Sequence, residues 1–294
     1  MRIVSLLPSA TEIVYALGLE DELVGVTFEC DEPVSARLQK AVVVGGRDTS
    51  GVTPAEIDAY VRAQLASGAD LYHLREDALA DLDPDLVLTQ DLCRVCAVPT
   101  RDVDAALAHL GCRADVLTLD PSSLADVLDS IIAVGARAGV PARAATLVHG
   151  LDARLSAVAS AVRGRPRPRV VVAEWVDPPF GAGHWVPDLV VAAGGLPVAA
   201  HPGEPSVATT WEALAAAQPD VVLVAPCGFH LDGAASQASV VVDALPGVEV
   251  WALDGDGLVV RPGPRLVDGV ETIAGVLHPG VVAPPAASAA LRVA

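Results

Sequence analysis

Short apolar runs rich in β-branched residues alternate with longer helical segments over the first 120 residues of the chain. The runs have the length of strands and fall at residues 2–6, 23–27, 42–46, 86–90 and 116–119. Runs of this length and content are typical of buried strands. Because strands and helices alternate, the pattern predicts a mostly parallel sheet with helices on its faces.

Two segments carry the signature of a helix N-terminus. Ser9-Ala10-Thr11-Glu12 and Thr53-Pro54-Ala55-Glu56 each place a glutamate three residues after a hydroxyl side chain, which is the capping box arrangement. The second segment also has proline at the first helical position. We therefore expect Ser9 and Thr53 to be helix N-caps.

The strand pattern stops between residues 121 and 164. One helix capped by Ser122 or Ser123 and a second helix opened by Pro141 account for this stretch. Two helices without a strand predict a connector between two lobes. The alternation of arginine and proline at residues 165–169 predicts a stiff, extended hinge after it, because proline restricts its own backbone and that of the residue before it.

Strand and helix patterns alternate again in the remainder of the chain. Strands are predicted at residues 170–174, 221–225 and 248–253, and a last helix at residues 264–278. The residues from 281 onward are rich in alanine and proline, and we expect them to be disordered.

Four segments follow from this pattern: an N-terminal α/β lobe at residues 1–120, a helical connector and hinge at 121–169, a C-terminal α/β lobe at 170–280 and a disordered tail at 281–294. The two lobes also share a local sequence echo. Asp83-Pro84-Asp85 precedes a buried strand and then Cys93, and Gln218-Pro219-Asp220 precedes a buried strand and then Cys227. The echo indicates a duplicated architecture.

Composition supports this division and narrows the classes of partner. The 294 residues exceed what one hydrophobic core of ordinary size serves. The net charge of −18 repels phosphate backbones and anionic lipids, so neither a nucleic acid nor a membrane surface is expected as a partner.

No stretch of about 18 apolar residues runs uninterrupted, so we predict no membrane span. The opening apolar run has about five residues, fewer than an export signal requires, and we therefore expect a cytoplasmic protein.

The chain resembles the helical-backbone (class III) substrate-binding proteins of ABC importers, and is most similar to their cobalamin-binding branch. The resemblance spans roughly residues 1–279 and is carried by residues 3–12, 17–18, 24–27, 84–88 and 219–222. It implies an α/β fold of two Rossmann-like lobes with mostly parallel sheets, joined by a long connecting helix. It also implies a ligand held in the cleft between the lobes. An ABC permease would be a partner if the chain is exported.

Cysteines are the first candidates for chemistry. Cys30, Cys93, Cys96 and Cys227 each follow a predicted strand, and the carboxyl ends of parallel strands form the usual ligand-binding edge. The Cys93-x-x-Cys96 spacing suits two thiolates on one metal ion or cluster, or a redox pair. The alternative is that these residues pack as small buried groups, which is the role we assign to Cys112.

Residues near the first strand of the second lobe are candidates for ligand contact. Glu174 and Trp175 end this strand, and His184 and Trp185 follow after a proline-rich turn. Two indoles could stack on a flat ligand, and His184 could bind a metal or donate a hydrogen bond. Alternatively, both tryptophans lie in the core and His184 caps the helix that starts near Pro187.

Polar residues complete the predicted site. Arg261 and Arg265 lie beside the N-terminus of the last helix and could bind an anionic group of a ligand. The alternative is a salt bridge, for example between Arg265 and Asp268. Gln90, just before Cys93, could orient a ligand or be a solvated loop residue.

Three functions are compatible with these patterns. The first is a cytoplasmic protein that binds a corrinoid of the cobalamin type, or another metal-containing small molecule, without chemical turnover. The second is an enzyme or electron carrier with a cysteine-ligated zinc ion or iron–sulfur cluster bridging the lobes. The third is an exported ABC-importer substrate-binding protein whose signal has been removed.

Overall fold

The computed structural model describes residues 1–49, 51–92, 98–110 and 113–294, with residue 110 described by its backbone alone. The chain folds into two compact α/β units. The first unit consists of Met1–Asp120 with Leu128–Val148, and the second of Pro121–Val127 with His149–Ala294. The predicted α/β class with two lobes is confirmed.

The first unit is built on a six-stranded sheet with the order β4-β3-β2-β1-β5-β6. Neighbouring strands are parallel except for β4, which runs antiparallel to β3. The elements of this unit are β1 Ile3–Ser5, α1 Pro8–Ala16, β2 Leu23–Thr27, α2 Val34–Gln39, β3 Ala41–Gly46, α3 Pro54–Ser67, β4 Tyr72–Leu74, α4 Glu76–Leu82, β5 Leu86–Thr89, α5 Thr100–Leu110 and β6 Asp115–Thr118.

Two helices contribute to both units. They are α6 Leu124–Arg137 and α7 Pro141–Ala161. Ser123, one of the two predicted capping residues, caps the start of α6, because its hydroxyl oxygen accepts from the Asp126 N–H while the Asp126 carboxylate accepts from the Ser123 N–H. The predicted connector is therefore shared between the units, and the stretch of alternating arginine and proline lies within the second unit.

The second unit contains a sheet with the order β10-β7-β12-β13-β14, in which β8 also pairs with β7, and a small pair of β9 and β11. Its elements are β7 Arg169–Val176, β8 Pro179–Gly181, β9 Gly183–His184, α8 Val186–Ala192, β10 Leu196–Pro197, β11 His201–Pro202, α9 Trp211–Ala216, β12 Val221–Val224, α10 Leu231–Ala244, β13 Glu249–Leu253, α11 Gly255–Leu258, α12 Leu266–Leu277 and β14 Ala290–Arg292.

The central strands of both sheets are buried on both faces. All residues of β5 and β12 are buried, as are those of β1. Continuous apolar runs are expected where helices cover a parallel sheet on both sides. This explains why these strands could be predicted from the sequence as uninterrupted apolar runs.

The sequence echo is a structural repeat at the amino-terminal edge of each sheet. The Asp85 carboxylate accepts from the Arg2 N–H at 2.7 Å, and the Asp220 carboxylate accepts from the Arg169 N–H at 2.7 Å. The guanidinium group of each arginine donates to a carbonyl at the end of the helix that precedes the aspartate. This carbonyl belongs to Leu82 in one unit and to Ala217 in the other. Each unit thus attaches its first strand, β1 or β7, to the neighbouring strand of its sheet, β5 or β12, in the same way.

The two predicted capping boxes have different outcomes. The capping box at Thr53 is confirmed, with reciprocal hydrogen bonds between Thr53 and Glu56. The prediction that Ser9 is an N-cap is wrong, because α1 begins at Pro8 and its N-cap is Leu7. Proline favours the first helical position, so the helix starts two residues earlier than predicted and Ser9 is buried in its first turn.

The C-terminal residues also differ from the expectation of a disordered tail. Ala290–Arg292 form β14, which pairs antiparallel with β13 through Trp251, Ala252 and Leu253. Backbone bonds extend this pairing, since the Val293 N–H donates to the Val250 carbonyl and the Val250 N–H donates to the Ala294 carbonyl. Alanine and proline predict little local order, whereas the open edge of β13 supplies partners that local sequence does not reveal. Among the described residues, no helix has both the length and the apolar content needed to cross a bilayer.

Candidate ligand-binding site

An aromatic pair lies at the edge where the parallel strands of the first sheet end, which we call the carboxyl edge. Phe28 directly follows β2, and Tyr72 opens β4 opposite Gly46 at the end of β3. The two ring centroids are 6.2 Å apart, and the Tyr72 hydroxyl donates to the Glu29 carboxylate at 3.1 Å. A Cβ atom on Gly46 would lie 2.7 Å from the Phe28 ring, so glycine makes room for this pair.

The loop after β5 is held by carboxylates. One oxygen of Asp120 accepts from the N–H groups of Asp91 and Leu92, and the Asp91 carboxylate accepts from the Thr100 N–H at 2.7 Å. Gln90 at the start of this loop is buried. Its side chain is therefore largely withdrawn from solvent, and its assignment to ligand orientation stays a prediction.

The predicted cysteine site is not supported by the described residues. Cys93 and Cys96 lie outside them. Cys30 is fully buried, with its sulfur 3.1 Å from the Thr11 hydroxyl, whereas Cys227 is exposed in the second unit. Within the described ranges there is no group of three or more histidine, cysteine or acidic residues placed to hold a metal ion. Neither zinc nor an iron–sulfur cluster gains support from this arrangement.

A second aromatic pair lies at the carboxyl edge of the second sheet. Trp175, near the end of β7, lies against Phe229 in the loop after β12, with ring centroids 5.8 Å apart. Both side chains are partly exposed. Backbone and side-chain bonds of Glu174 organise the surroundings, because its carbonyl accepts from the Cys227 N–H and its carboxylate accepts from the Gly183 N–H. Glu174, Trp175, Cys227 and Phe229 are thereby brought together.

Trp185 differs from the expectation that it packs on a ligand. Its side chain is buried, and its indole N–H donates to the Val259 carbonyl at 2.9 Å. The predicted alternative, a core tryptophan, matches this environment. A bulky apolar residue at the start of α8 is drawn into the core of the unit because the adjoining helical residues are buried there as well.

His184 adopts an uncommon conformation beside this tryptophan. Its φ angle is +47°, and its ring stacks on Trp185 with centroids 5.6 Å apart. The Nε2 atom is buried and finds no hydrogen-bond partner among the described residues. Burial lowers the pKa of His184, so the neutral imidazole is favoured. The histidine does not cap α8, whose N-cap is Trp185.

The two arginines proposed as an anion site have different environments. Arg261 forms a salt bridge with Asp256 at 2.9 Å, and the two side chains are only 11% and 10% exposed. Its charge is therefore already compensated within the protein. Arg265 is the N-cap residue of α12, and Asp268 forms a salt bridge with Arg154.

The carboxylate of Asp254 is kept charged near Arg265. Burial by itself raises the pKa of this group, but hydrogen bonds from His230 and from the Gly257 N–H lower it, together with the charges of His230 and Arg265. The lowering contributions are larger, and the pKa of Asp254 lies below its ordinary value. The negative charge of Asp254 is thus held beside His230 and Arg265 in the second unit.

Three aromatic residues of these edges were not identified from the sequence. Phe28 and Phe229 each follow a correctly predicted strand, so their positions after the strand ends were available as a signal. Tyr72 gave no comparable signal, because β4 has only three residues and runs antiparallel. It reaches the edge through strand pairing.

The fold and these edges define a class of protein. Two α/β units, each with a partly exposed aromatic pair where its parallel strands end, are typical of a two-lobed protein that binds a small molecule. A family model described as periplasmic binding protein matches residues 3–252. The chain belongs to this family.

Curated relatives resemble nearly the whole chain. A vitamin B12-binding protein of Vibrio cholerae is 26% identical over 277 residues, which cover 92% of this chain and 87% of the relative. A cobalamin-binding protein of Halobacterium salinarum is 27% identical over 288 residues, covering 94% and 69%. An ABC transporter substrate-binding lipoprotein of Bacillus subtilis, YvrC, is 26% identical over 291 residues, covering 95% and 80%.

Solved structures share the fold. A periplasmic heme-binding protein from Pseudomonas aeruginosa superimposes with a TM-score of 0.71 at 23% identity, over 100% of this chain and 98% of the other. A periplasmic vitamin B12-binding protein of Vibrio cholerae gives 0.65 at 24% identity, over 94% and 96%. At these identities the likeness supports the fold.

The expected cytoplasmic location is wrong. The family is that of periplasmic binding proteins, and the relatives include a substrate-binding lipoprotein. The expectation came from the apolar length of the first residues, and the residue at which a sequence starts carries no information about where the protein acts.

Proposed function

We propose that this chain is the substrate-binding component of an ABC importer and that its ligand is a corrinoid of the cobalamin type. The observation that carries the proposal is the match of residues 3–252 to the periplasmic binding protein family, together with relatives named for vitamin B12 or cobalamin. These relatives match more than 90% of the chain. An importer permease is the corresponding protein partner.

The aromatic pairs suit such a ligand. Phe28 with Tyr72 in the first unit, and Trp175 with Phe229 in the second, present partly exposed rings at carboxyl edges. A corrin is a broad, largely flat macrocycle, and aromatic side chains contribute large apolar contact areas to such ligands. We assign one contact surface to each edge, with Glu174 and Cys227 beside the second.

Calorimetric titration with hydroxocobalamin and with hemin tests the choice of ligand. We expect saturable 1:1 binding of hydroxocobalamin and much weaker binding of hemin. Preferential binding of hemin would mean that the ligand is a porphyrin and not a corrinoid, with the class of protein unchanged. Absence of binding for both compounds would contradict the proposed function.

Replacing Trp175 tests the second contact surface. We expect Trp175→Leu to weaken cobalamin binding about twofold to twelvefold, because a ring contact contributes roughly 0.5–1.5 kcal/mol beyond its buried area. Trp251→Leu is the matched control, since Trp251 is also partly exposed but lies in the middle of β13 and donates to Glu249. Equal affinities of the two variants would remove Trp175 from the site.

A further inference from the structure

The loop of residues 226–230 carries Cys227 and Phe229 and is attached to the short helix α11. The Gly228 N–H donates to one carboxylate oxygen of Asp256 at 2.8 Å. In return, the Asp256 N–H donates to the Phe229 carbonyl at 3.2 Å. Asp256 therefore binds the backbone on both sides of the peptide that joins Gly228 to Phe229.

Close backbone packing brings the loop and the helix together. A Cβ atom on Gly255 would lie 2.6 Å from the Pro226 carbonyl oxygen and 3.0 Å from that of Phe229. The His230 ring nitrogen Nδ1 also lies 2.8 Å from an Asp254 oxygen. The loop is thus supported along its length by the first residues of α11 and its N-cap.

Arg261 holds the second oxygen of Asp256. The Nη2 atom lies 2.9 Å from this oxygen, and both side chains are about nine-tenths buried. A pair of this kind is costly to break, because either partner alone would leave an uncompensated buried charge. The ion pair therefore holds the Asp256 carboxylate in the orientation in which its other oxygen accepts from the Gly228 N–H.

We propose that Asp256 is a positioning residue for ligand binding. It fixes Phe229 against Trp175 and is itself held by Arg261. The proposal rests on the proposed function, since it assigns to α11 the preorganisation of the second contact surface. A surface that is ordered before binding loses less conformational entropy when the ligand arrives. Arg261 thereby has a role within the protein, whereas the sequence had indicated that it binds an anionic group of the ligand.

A double-mutant cycle tests whether Asp256 acts through Phe229. We expect Asp256→Ala to weaken hydroxocobalamin binding about tenfold in the native background and less than about twofold when Phe229→Ala is present, because coupled residues are not additive. Asp256→Asn is the milder variant, since its carboxamide oxygen can still accept from the Gly228 N–H, and its affinity should be intermediate. Additive losses in the cycle would overturn the proposal.

Asp220→Ala is the matched control. Asp220 also attaches two segments of the second unit by accepting a backbone N–H, but it does so at the opposite edge of the sheet. This variant should lower the unfolding temperature while leaving the affinity for hydroxocobalamin within twofold of the original. An equal loss of affinity would mean that any weakened tie in this unit impairs binding, which would overturn a specific role for Asp256.

Hydrogen exchange without ligand separates this proposal from the proposed function. Mass spectrometry of peptides covering residues 226–230 should show faster exchange in Asp256→Ala and Asp256→Asn, and unchanged exchange in Asp220→Ala. Unchanged exchange in both Asp256 variants would overturn the positioning role, whatever the ligand. Failure of the unaltered chain to bind hydroxocobalamin or hemin, with exchange as expected, would count against the proposed function alone.

Discussion

His184 shows how a single residue depends on its three-dimensional surroundings. Its φ of +47° lies in the left-handed region, which residues other than glycine adopt uncommonly, although asparagine, aspartate and histidine do so more often than the rest. Backbone bonds on both sides support this conformation, because the His184 N–H donates to the Glu204 carbonyl and its carbonyl accepts from Gly203. The sequence singled out this histidine as a ligand residue but could not reveal that its ring would be partly buried against Trp185.

Acid should destabilise the native chain through His184. Burial lowers its pKa below the ordinary value of 6.5, so the stabilising neutral form is fully present above pH 6.5 and is lost as the pH falls through the lower folded value. We expect the unfolding temperature to fall more between pH 7 and pH 5 in the native chain than in His184→Asn, because asparagine tolerates positive φ and does not titrate.

The exposed residue His201 in the same unit provides the control for this measurement. His201→Asn should reproduce the pH dependence of the unaltered chain in a differential scanning calorimetry series at pH 7, 6 and 5. If His184→Asn and His201→Asn gave parallel curves, the buried imidazole would not be the titrating group responsible.

At the scale of elements, helix starts were predictable where proline and the capping residue agree. In α1 and α3 alike, proline is the first helical residue and the residue before it is the N-cap. This rule selects Thr53 before Pro54 correctly, and it selects Leu7 before Pro8 in place of Ser9. Strands were predicted to within about two residues where they are apolar and parallel, whereas short or antiparallel strands such as β4, β8 and β14 were missed.

The capping box of α3 should contribute measurably to stability. Thr53→Ala removes the acceptor of the Glu56 N–H and the donor to the Glu56 carboxylate, and we expect a loss of about 1 kcal/mol in the free energy of unfolding. Ser239→Ala, an exposed position inside α10, serves as the control and should change stability by less than about 0.5 kcal/mol. Urea unfolding followed by circular dichroism would compare the two, and equal stabilities would show that the box is not formed in solution.

At the scale of the whole molecule, each of the two units has its own sheet and its own core. The arginine and aspartate ties at Arg2 with Asp85 and at Arg169 with Asp220 repeat in both, as the short sequence echo indicated. The second unit differs in that residues beyond the family match add β14 to its sheet. This strand covers the edge of β13, which would otherwise present unpaired backbone groups.

Removing residues 287–294 should therefore destabilise the second unit selectively. The amides of Val250 and Asp254 donate to the C-terminal segment at Ala294 and Ala289, so their hydrogen exchange should become faster in the truncated chain. Amides of β2 in the first unit serve as the internal control. Equal protection of β13 in both proteins would show that the C-terminal strand does not contribute to the sheet.

Apolar periodicity by itself determined the α/β class, the two lobes, the central strands and most of the helices. The spacing at which buried residues recur is a local property of the sequence, so it can be recognised without knowing the tertiary structure. The sites at the carboxyl edges were only partly accessible in this way. Trp175 and Glu174 were singled out from their place at the end of a strand, but pairing of distant segments decided which side chains meet, as with Phe229 against Trp175 and Tyr72 beside Phe28. Only the tertiary structure could decide that Trp185 is buried and that Arg261 is neutralised by Asp256, because both depend on contacts whose partners the local pattern does not specify.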